Sequence, residues 1–328
     1  MIFLFILFID LCGFAEEAGI SLLYFQPYAD VFGTANLTLV SGQERVRGAL
    51  NSAFLGNISK SAVSFSFSRD YYERGYYSYL SFSTKIKNFG VNFSYNGYRS
   101  QSEEFYINDE LKTSIDFEKD DIFQTSFGIN LKDIYFGFKL KFLSSTLAEK
   151  YKANTFAFDG DLIFNMIDNF KFYLGIENLG GGLKYFEQKE NLPIFYKMEL
   201  SKDFTSKTFF LRTGMGFKIS DDYSAYMAGV SFGVKEFPVE ICSGYSYVDE
   251  YRSFFTVGTS ISLEDFYLSY AIEFPKVFNS NMQKITISYF FDFSFLDKDY
   301  KKDKIQKNKR KDENKTPTPN KLPSIIIF

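Results

Sequence analysis

Histidine and tryptophan are both absent from the 328-residue chain, and only two cysteines are present, Cys12 and Cys242. Histidine is the usual general base and the commonest metal ligand, so its absence excludes hydrolases that pair a serine or an aspartate with histidine. We therefore expect no enzyme activity, no metal site and no cofactor. Cys12 lies in a segment that we expect to be removed, which would leave one thiol and no internal disulfide.

The chain also lacks a high mean hydropathy, which is −0.15. Aromatic residues nevertheless make up 20% of it, with 42 Phe and 24 Tyr. This combination suits β-strands that are apolar only at alternate positions, since neither the mean nor a long window then peaks. The formal net charge is −3, and residues 297–321 carry ten Lys/Arg against five Asp/Glu. An acidic body with a basic tail does not indicate a nucleic-acid partner.

Apolar and polar residues alternate from Lys284 to Phe295. A period of two predicts a strand whose two faces meet different surroundings. We assign the apolar face to lipid and the other face to a lumen. Lysine should then disrupt assembly at Phe291 and be tolerated at Ser288. The proposed lipid-facing residues are Ile285, Ile287, Tyr289, Phe291, Phe293 and Phe295.

The same alternation predicts fourteen strands, most of them long enough to cross a bilayer at a tilt. We therefore predict an all-β fold, a transmembrane antiparallel β-barrel over residues 61–295; the alternative is a soluble all-β protein. Short turns follow the even-numbered strands, and several longer loops, such as 99–120, follow the odd-numbered ones. The predicted strands are 62–70, 75–87, 89–98, 121–131, 133–146, 154–166, 169–178, 193–204, 207–219, 222–235, 237–248, 251–263, 265–275 and 283–295.

The two ends of the chain lack this alternation. Residues 1–15 have the apolar core of a cleaved signal peptide, with a short membrane anchor or a lipoprotein signal as alternatives. Residues 16–60 are predicted to form a compact segment inside the lumen, a plug, and the alternative is a flexible periplasmic leader. Residues 296–328 are predicted to be a disordered, lysine-rich periplasmic tail, and we favour no defined role for its apolar end.

Three short motifs resemble those of the PorV/PorQ-type outer-membrane proteins, which belong with the FadL-like fourteen-stranded barrels. Asn51-Ser-Ala-Phe-Leu55 is similar to the family's Asn-Pro-Ala segment, with Ser52 in place of its proline. Gly175-Ile-Glu-Asn-Leu-Gly180 and Asn191-Leu-Pro193 are similar to its Gln-Asn-Leu-Gly and Leu-Pro segments. The resemblance implies a barrel whose N-terminal segment, marked by Asn51, Ser52 and Ala53, plugs the lumen. It further implies uptake of apolar molecules in FadL-like members, or shuttling of secreted proteins in PorV-like members.

Charges of both signs are predicted on the lumen side of the strands. One sign would be expected to line a selective ion pore, so mixed signs suggest either cross-bracing that holds the plug or simple hydration of the wall. Asp159 and Asp161 share a face, but no nucleophile accompanies them. Asn96-Gly97 either marks an opening in the wall or ends a strand. The lumen-side residues are Lys139, Lys141, Asp159, Asp161, Glu177, Lys197, Glu199, Arg212, Lys218, Glu240, Glu273 and Asp292.

Two functions follow from these expectations. The first is a monomeric outer-membrane barrel of a diderm bacterium, surrounded by lipid, that passes small hydrophobic molecules past its plug. The second is a scaffold or secretion shuttle that transports nothing and binds secreted or envelope proteins through its extracellular loops.

Overall fold

The computed structural model of the chain describes residues 21–41, 51–70, 75–86, 89–107, 110–248, 253–276 and 281–292. The predicted signal peptide and tail lie outside these residues. The chain divides into two compact units at Phe291, and Asp292 is the one residue of the second unit that is described. The fold below is that of the first unit.

The first unit is built from eighteen described β-strands, most of which follow the period-two pattern of the sequence. Fourteen of them form a barrel, and the other four form two separate hairpins. The strands are β1 Ser61–Asp70, β2 Gly75–Ile86, β3 Phe89–Ser100, β4 Ser102–Ile107, β5 Glu110–Asp116, β6 Glu118–Leu131, β7 Ile134–Leu147, β8 Tyr151–Asn165, β9 Phe170–Gly180, β10 Leu183–Tyr185, β11 Gln188–Glu190, β12 Phe195–Thr205, β13 Phe209–Ile219, β14 Ser224–Val234, β15 Val239–Tyr247, β16 Phe254–Leu263, β17 Phe266–Pro275 and β18 Gln283–Phe291.

The barrel is closed, and each of its strands pairs antiparallel with its neighbours in chain order. Closure is made by β1 and β18, which pair from Ser61 opposite Phe291 to Arg69 opposite Gln283. No unpaired strand edge is left in the barrel, as a structure surrounded by lipid requires. The prediction of fourteen strands is confirmed, and the predicted ends lie within three residues of the observed ones wherever the chain is described.

The two rims of the barrel differ. One rim, the turn rim, carries short connections, including residues 132–133 and 264–265. The other, the loop rim, carries the β4–β5 and β10–β11 hairpins. Lys132, Asp168 and Glu264 have positive φ in turns of the first rim, as tight reversals between strands require.

The two faces of the wall also differ, and β1 shows this most simply. Val63 and Phe67 are 39% and 40% exposed on the outer face, whereas Ser64 and Ser66 are each 2% exposed on the inner face. The assignment of apolar residues to the outside therefore agrees with the structure. Among the described residues, no helix is long and apolar enough to cross a membrane.

Candidate functional site

Residues 21–41 and 51–58, which we call the inner segment, contact inward-facing residues of the barrel strands. It comprises helix α1, Ala29–Gly33, and 3-10 turns at Ser21–Leu23 and Ser52–Asn57. Asn51 caps the last turn, because its side chain accepts a hydrogen bond of 3.0 Å from the Ala53 amide. Most of the inner segment is buried, and α1 is buried throughout.

Glycines on the inner wall let the Ser52–Asn57 turn approach the strands closely. A Cβ added at Gly128 would lie 2.1 Å from the Ser52 carbonyl oxygen, and one at Gly137 would lie 2.1 Å from the Ala53 amide nitrogen. Real Cβ atoms do not approach other atoms so closely, so only glycine fits at these two positions. The landmark residues of the family resemblance thus rest on the backbone of the wall.

The first part of the inner segment rests on the opposite wall in a similar way. A Cβ at Gly244 would lie 2.5 Å from the Thr34 carbonyl carbon, and one at Gly33 would lie 2.6 Å from the Cys242 sulfur. The Ala29 amide donates to Thr286 Oγ1 at 2.9 Å. Both ends of the inner segment are therefore fitted to the wall by small side chains.

Asp161 on β8 holds the Ser52 turn through hydrogen bonds. Its Oδ2 accepts from the Ser52 amide at 2.9 Å and from the Ser52 hydroxyl, and its Oδ1 accepts from the Tyr173 hydroxyl at 2.7 Å. Proline could supply neither of the two Ser52 donors. Serine at this position therefore supplies two donors that a proline would lack.

Glu199 on β12 holds the other part of the inner segment. Its Oε1 accepts from the Thr38 amide at 3.0 Å and from the Thr38 hydroxyl at 2.9 Å, and its Oε2 accepts from the Leu39 amide at 2.8 Å. Lys197 lies 2.8 Å from the same carboxylate and donates to the Asn36 carbonyl at 3.0 Å. Buried charges are stable only when paired and hydrogen-bonded in this way.

Asp159 has a different environment from Asp161, although both face inward. Its carboxylate lies 2.7 Å from Lys141 Nζ and 3.4 Å from Lys139 Nζ, and it accepts from the Asn178 amide at 2.9 Å. Asn178 in turn donates to the Pro193 carbonyl at 3.0 Å. Asn178 therefore links the Gly175–Gly180 motif to the Asn191–Pro193 motif, and Asp159 holds the Asn178 amide.

Four of the remaining predicted lumen residues form two separate pairs, and Glu273 lies on β17 opposite Thr256. Glu177 lies 2.8 Å from Lys218, and Glu240 lies 3.2 Å from Arg212. Asp292 is exposed and follows the last residue of β18. Of the predicted residues, Asp161 and Glu199 are the ones whose carboxylates accept hydrogen bonds from inner-segment amides, within the described part of the chain.

A cavity of about 100 Å³ lies between residues 22–27 of the inner segment and the lumen wall. Lys141, Lys197 and Lys218 line it together with Glu177, and aromatic rings complete its surface. The cavity is therefore small and amphipathic, with ammonium groups beside rings.

An apolar cluster lies near the loop rim. It contains Leu22, Tyr98 and Leu183, and Tyr185 of the β10–β11 hairpin packs against it. Burial raises the pKa of Tyr185 to about 12, so its hydroxyl stays neutral near neutral pH. The hairpin thus packs together with the start of the inner segment.

The predicted wall opening at Asn96-Gly97 lies within continuous ladders. Asn96 pairs with Tyr79 and Ile122, and Gly97 pairs with neighbours on both sides. A Cβ at Gly97 would lie 2.5 Å from the Tyr95 hydroxyl. The two residues therefore do not end β3, which continues to Ser100.

The sequence analysis missed Lys284, which is 1% exposed. It faces inward on β18 and donates to the Gln26 carbonyl, with its ammonium 3.7 Å from the Phe25 ring centre and 4.1 Å from that of Phe32. The period-two pattern could have identified Lys284 as inward-facing, because it lies two residues before Thr286 on the same face of β18. Within the described ranges, no cluster of three or more carboxylates, cysteines or histidines could hold a metal ion.

Solved structures similar to this chain are bacterial outer-membrane barrels. A crystal structure of the toluene transporter TodX of P. putida matches with a TM-score of 0.56 and 11% identity, over 81% of this chain and 98% of TodX. A FadL homologue of Pseudomonas aeruginosa matches with a TM-score of 0.56 and 10% identity, over 82% of this chain and 99% of the homologue. No family model and no curated protein sequence matches the chain.

These similarities establish the fold, a FadL-like fourteen-stranded barrel of the outer-membrane type. Identities of 10–11% carry no further property from those proteins to this chain.

Proposed function

We propose that this protein lies in the outer membrane and passes small hydrophobic molecules across it, past an inner segment that acts as a plug. The proposal is supported by the contacts of the inner segment, which is mostly buried and is anchored by Asp161 and Glu199 on different parts of the wall. A lumen that holds this segment would not suit a general water-filled pore. Export would use residues 1–15 as a signal peptide.

The neighbouring structures support the chemistry of the cargo. The TodX structures are those of a toluene transporter and a monoaromatic hydrocarbon channel. In this chain, the aromatic part of the luminal cavity would contact a small apolar molecule, and the plug would have to shift to let it pass.

Uptake of toluene by intact cells tests the proposal, because an intact outer membrane slows apolar compounds. Expression of the wild-type protein in a diderm host should raise the initial rate of toluene entry. The control is a Gly33→Cys variant, in which a disulfide to Cys242 fixes the plug to the wall. Oxidation should abolish the increase and reduction should restore it; equal uptake with and without the protein contradicts the proposal.

A second function is favoured by the β4–β5 hairpin. Its two strands form a sheet of their own at the loop rim, separate from the barrel ladder. A projecting hairpin of this kind suits binding of a secreted or envelope protein, as the PorV/PorQ resemblance implies. A pull-down from cell envelopes with the intact protein and with a variant lacking residues 102–116 tests it; a partner captured equally by both contradicts it.

A further inference from the structure

Four cations lie in one row across the outer face of the barrel, next to the loop rim. The register places Arg69 opposite Tyr76, Tyr76 opposite Arg99, and Arg99 opposite Lys119. The row continues through Thr146 to Lys152 on β8. Neighbouring strands are about 4.8 Å apart, so the row extends over roughly 25 Å of the circumference. Arg69, Lys119 and Lys152 are exposed.

The opposite wall has no such row. Among the described outward-facing residues of β9 and β12 to β18, Lys202 is the one charged side chain, and it lies toward the turn rim beside Phe170 and Phe204. A charge facing lipid is costly at the midplane and costs little near the interface. The cations are therefore confined to one side and one depth of the barrel.

Directly below the row, the same strands form an apolar groove of about 600 Å³ on the outer face. Phe142 and Phe156 line it with their ring centres 5.1 Å apart, and Phe123 is 53% exposed. The groove is open and mainly apolar, so an acyl chain could lie along it.

Tyr95 connects the row to the groove. Its hydroxyl accepts from Arg99 Nη2 at 3.2 Å and donates to Asp121 at 2.6 Å, while its ring lies 5.2 Å from that of Phe123. Asp121 also pairs with Arg99 at 2.5 Å. It is the one acid among the described outward-facing residues of β1 to β3 and β6 to β8. The described outward-facing residues of these strands thus carry four cations and one carboxylate.

We propose that this surface is a binding site for an anionic lipid of the outer leaflet, with the phosphate on the cationic row and an acyl chain in the groove. The charge complementarity and the adjoining apolar groove favour a lipid over a protein partner, because both features lie on the membrane-facing wall. The proposal depends on membrane insertion but not on transport. Its failure would leave toluene uptake unaffected.

Fluorescence quenching tests the proposal. The chain contains no tryptophan, so the tryptophan fluorescence of a variant with one introduced tryptophan comes from that site alone. The full protein carrying Phe156→Trp is placed in vesicles of phosphatidylcholine with increasing amounts of acyl-brominated phosphatidylglycerol or acyl-brominated phosphatidylcholine. We expect half-maximal quenching at a lower fraction of the anionic lipid than of the neutral one. Salt should weaken this preference.

The variant Arg69→Gln, Lys119→Gln, Lys152→Gln removes three cations and leaves the Arg99–Asp121 pair in place. Each cation near an anionic surface is worth about fivefold in affinity, so the lipid preference should fall at least about tenfold. Lys202→Gln is the matched control and should leave it unchanged. Met215→Trp, which is 64% exposed on the opposite wall, should show no preference.

Three outcomes would overturn the proposal: equal quenching by the two lipids, a preference that survives the triple substitution, or the same preference at Met215→Trp. The unheated protein on a detergent gel shows whether the triple variant has folded. If it has not, Lys119→Gln alone replaces it and should reduce the preference by about fivefold; an unchanged preference in that variant also overturns the proposal.

Discussion

The two faces of the barrel wall are made by alternate residues of the same strands, yet they meet different surroundings. On β18, Ile287 is 47% exposed on the outer face, whereas Thr286 and Ser288 are 0% exposed on the inner face. A soluble sheet would bury the isoleucine and expose the hydroxyls. The outer face therefore needs only to be apolar, whereas the inner face must fit one particular segment of chain. Substitutions on the inner face should therefore depend strongly on residue identity.

The largest effect is expected at Glu199. Glu199→Ala removes the acceptor of three hydrogen bonds and takes from the buried Lys197 the carboxylate that lies 2.8 Å away. Breaking a buried pair in this way costs about 3–5 kcal/mol, measured as the free energy of unfolding in urea. Leu200, the next residue, faces outward, and Leu200→Ala should cost no more than about 1 kcal/mol. Equal losses would contradict the difference between the faces.

The next effect concerns the outer face alone. Ile287→Lys places a charge on the lipid side near the middle of β18 and should cost about 2–4 kcal/mol of folding free energy in a bilayer. Gln283→Lys puts the same side chain on the same face at the loop rim, where the cost falls to about 0–1 kcal/mol. Refolding yields into vesicles at a series of urea concentrations measure both. Similar values would mean that Ile287 does not face lipid.

Two glycines on the neighbouring strands β7 and β8 test the same difference between tight and loose packing. Gly137→Ala directs a methyl group at the Ala53 amide nitrogen, 2.1 Å away, and should cost about 1–3 kcal/mol by overpacking. Gly160→Ala on β8 meets only an Ile176 methyl at 3.5 Å and should be nearly neutral. The unfolding midpoints of the two variants in urea measure these costs. A neutral Gly137→Ala would show that the inner segment is not packed against Gly137.

The smallest effect is expected at the turn rim, away from both faces. Lys60 and Asp265 form an ion pair of 2.6 Å, with side chains 31% and 43% exposed. Exposed pairs contribute about 0–1 kcal/mol and are screened by salt. Lys60→Ala should therefore shift the unfolding midpoint little, and not at all in high salt. A loss as large as that of Glu199→Ala would show that rim contacts dominate stability.

The sequence predicts the barrel well because its two faces have a period of two, and this period identifies each strand separately. The inner face is harder to predict from alternation alone. Ser288, at which we expected lysine to be tolerated, is 0% exposed and bonded to Ser64, so its burial argues against that expectation. Nothing in the spacing of Asp161 and Glu199 distinguishes them from Asp159, because their partners are distant in sequence. These contacts depend on where the inner segment folds back against the barrel wall, and the period-two pattern of the strands does not specify that position.

The inner segment lies against β15 at Gly33, and a cysteine at this position tests that contact directly. A Cβ at Gly33 would lie 2.6 Å from the Cys242 sulfur, which is close to disulfide reach after small adjustment. In membranes from cells expressing the Cys12→Ser, Gly33→Cys variant, mild oxidation should link residues 33 and 242, as mass spectrometry of the digested protein detects. Gly56→Cys in the same background should form no such link. Absence of the 33–242 disulfide, with Cys242 freely alkylated in the folded barrel, would contradict the account.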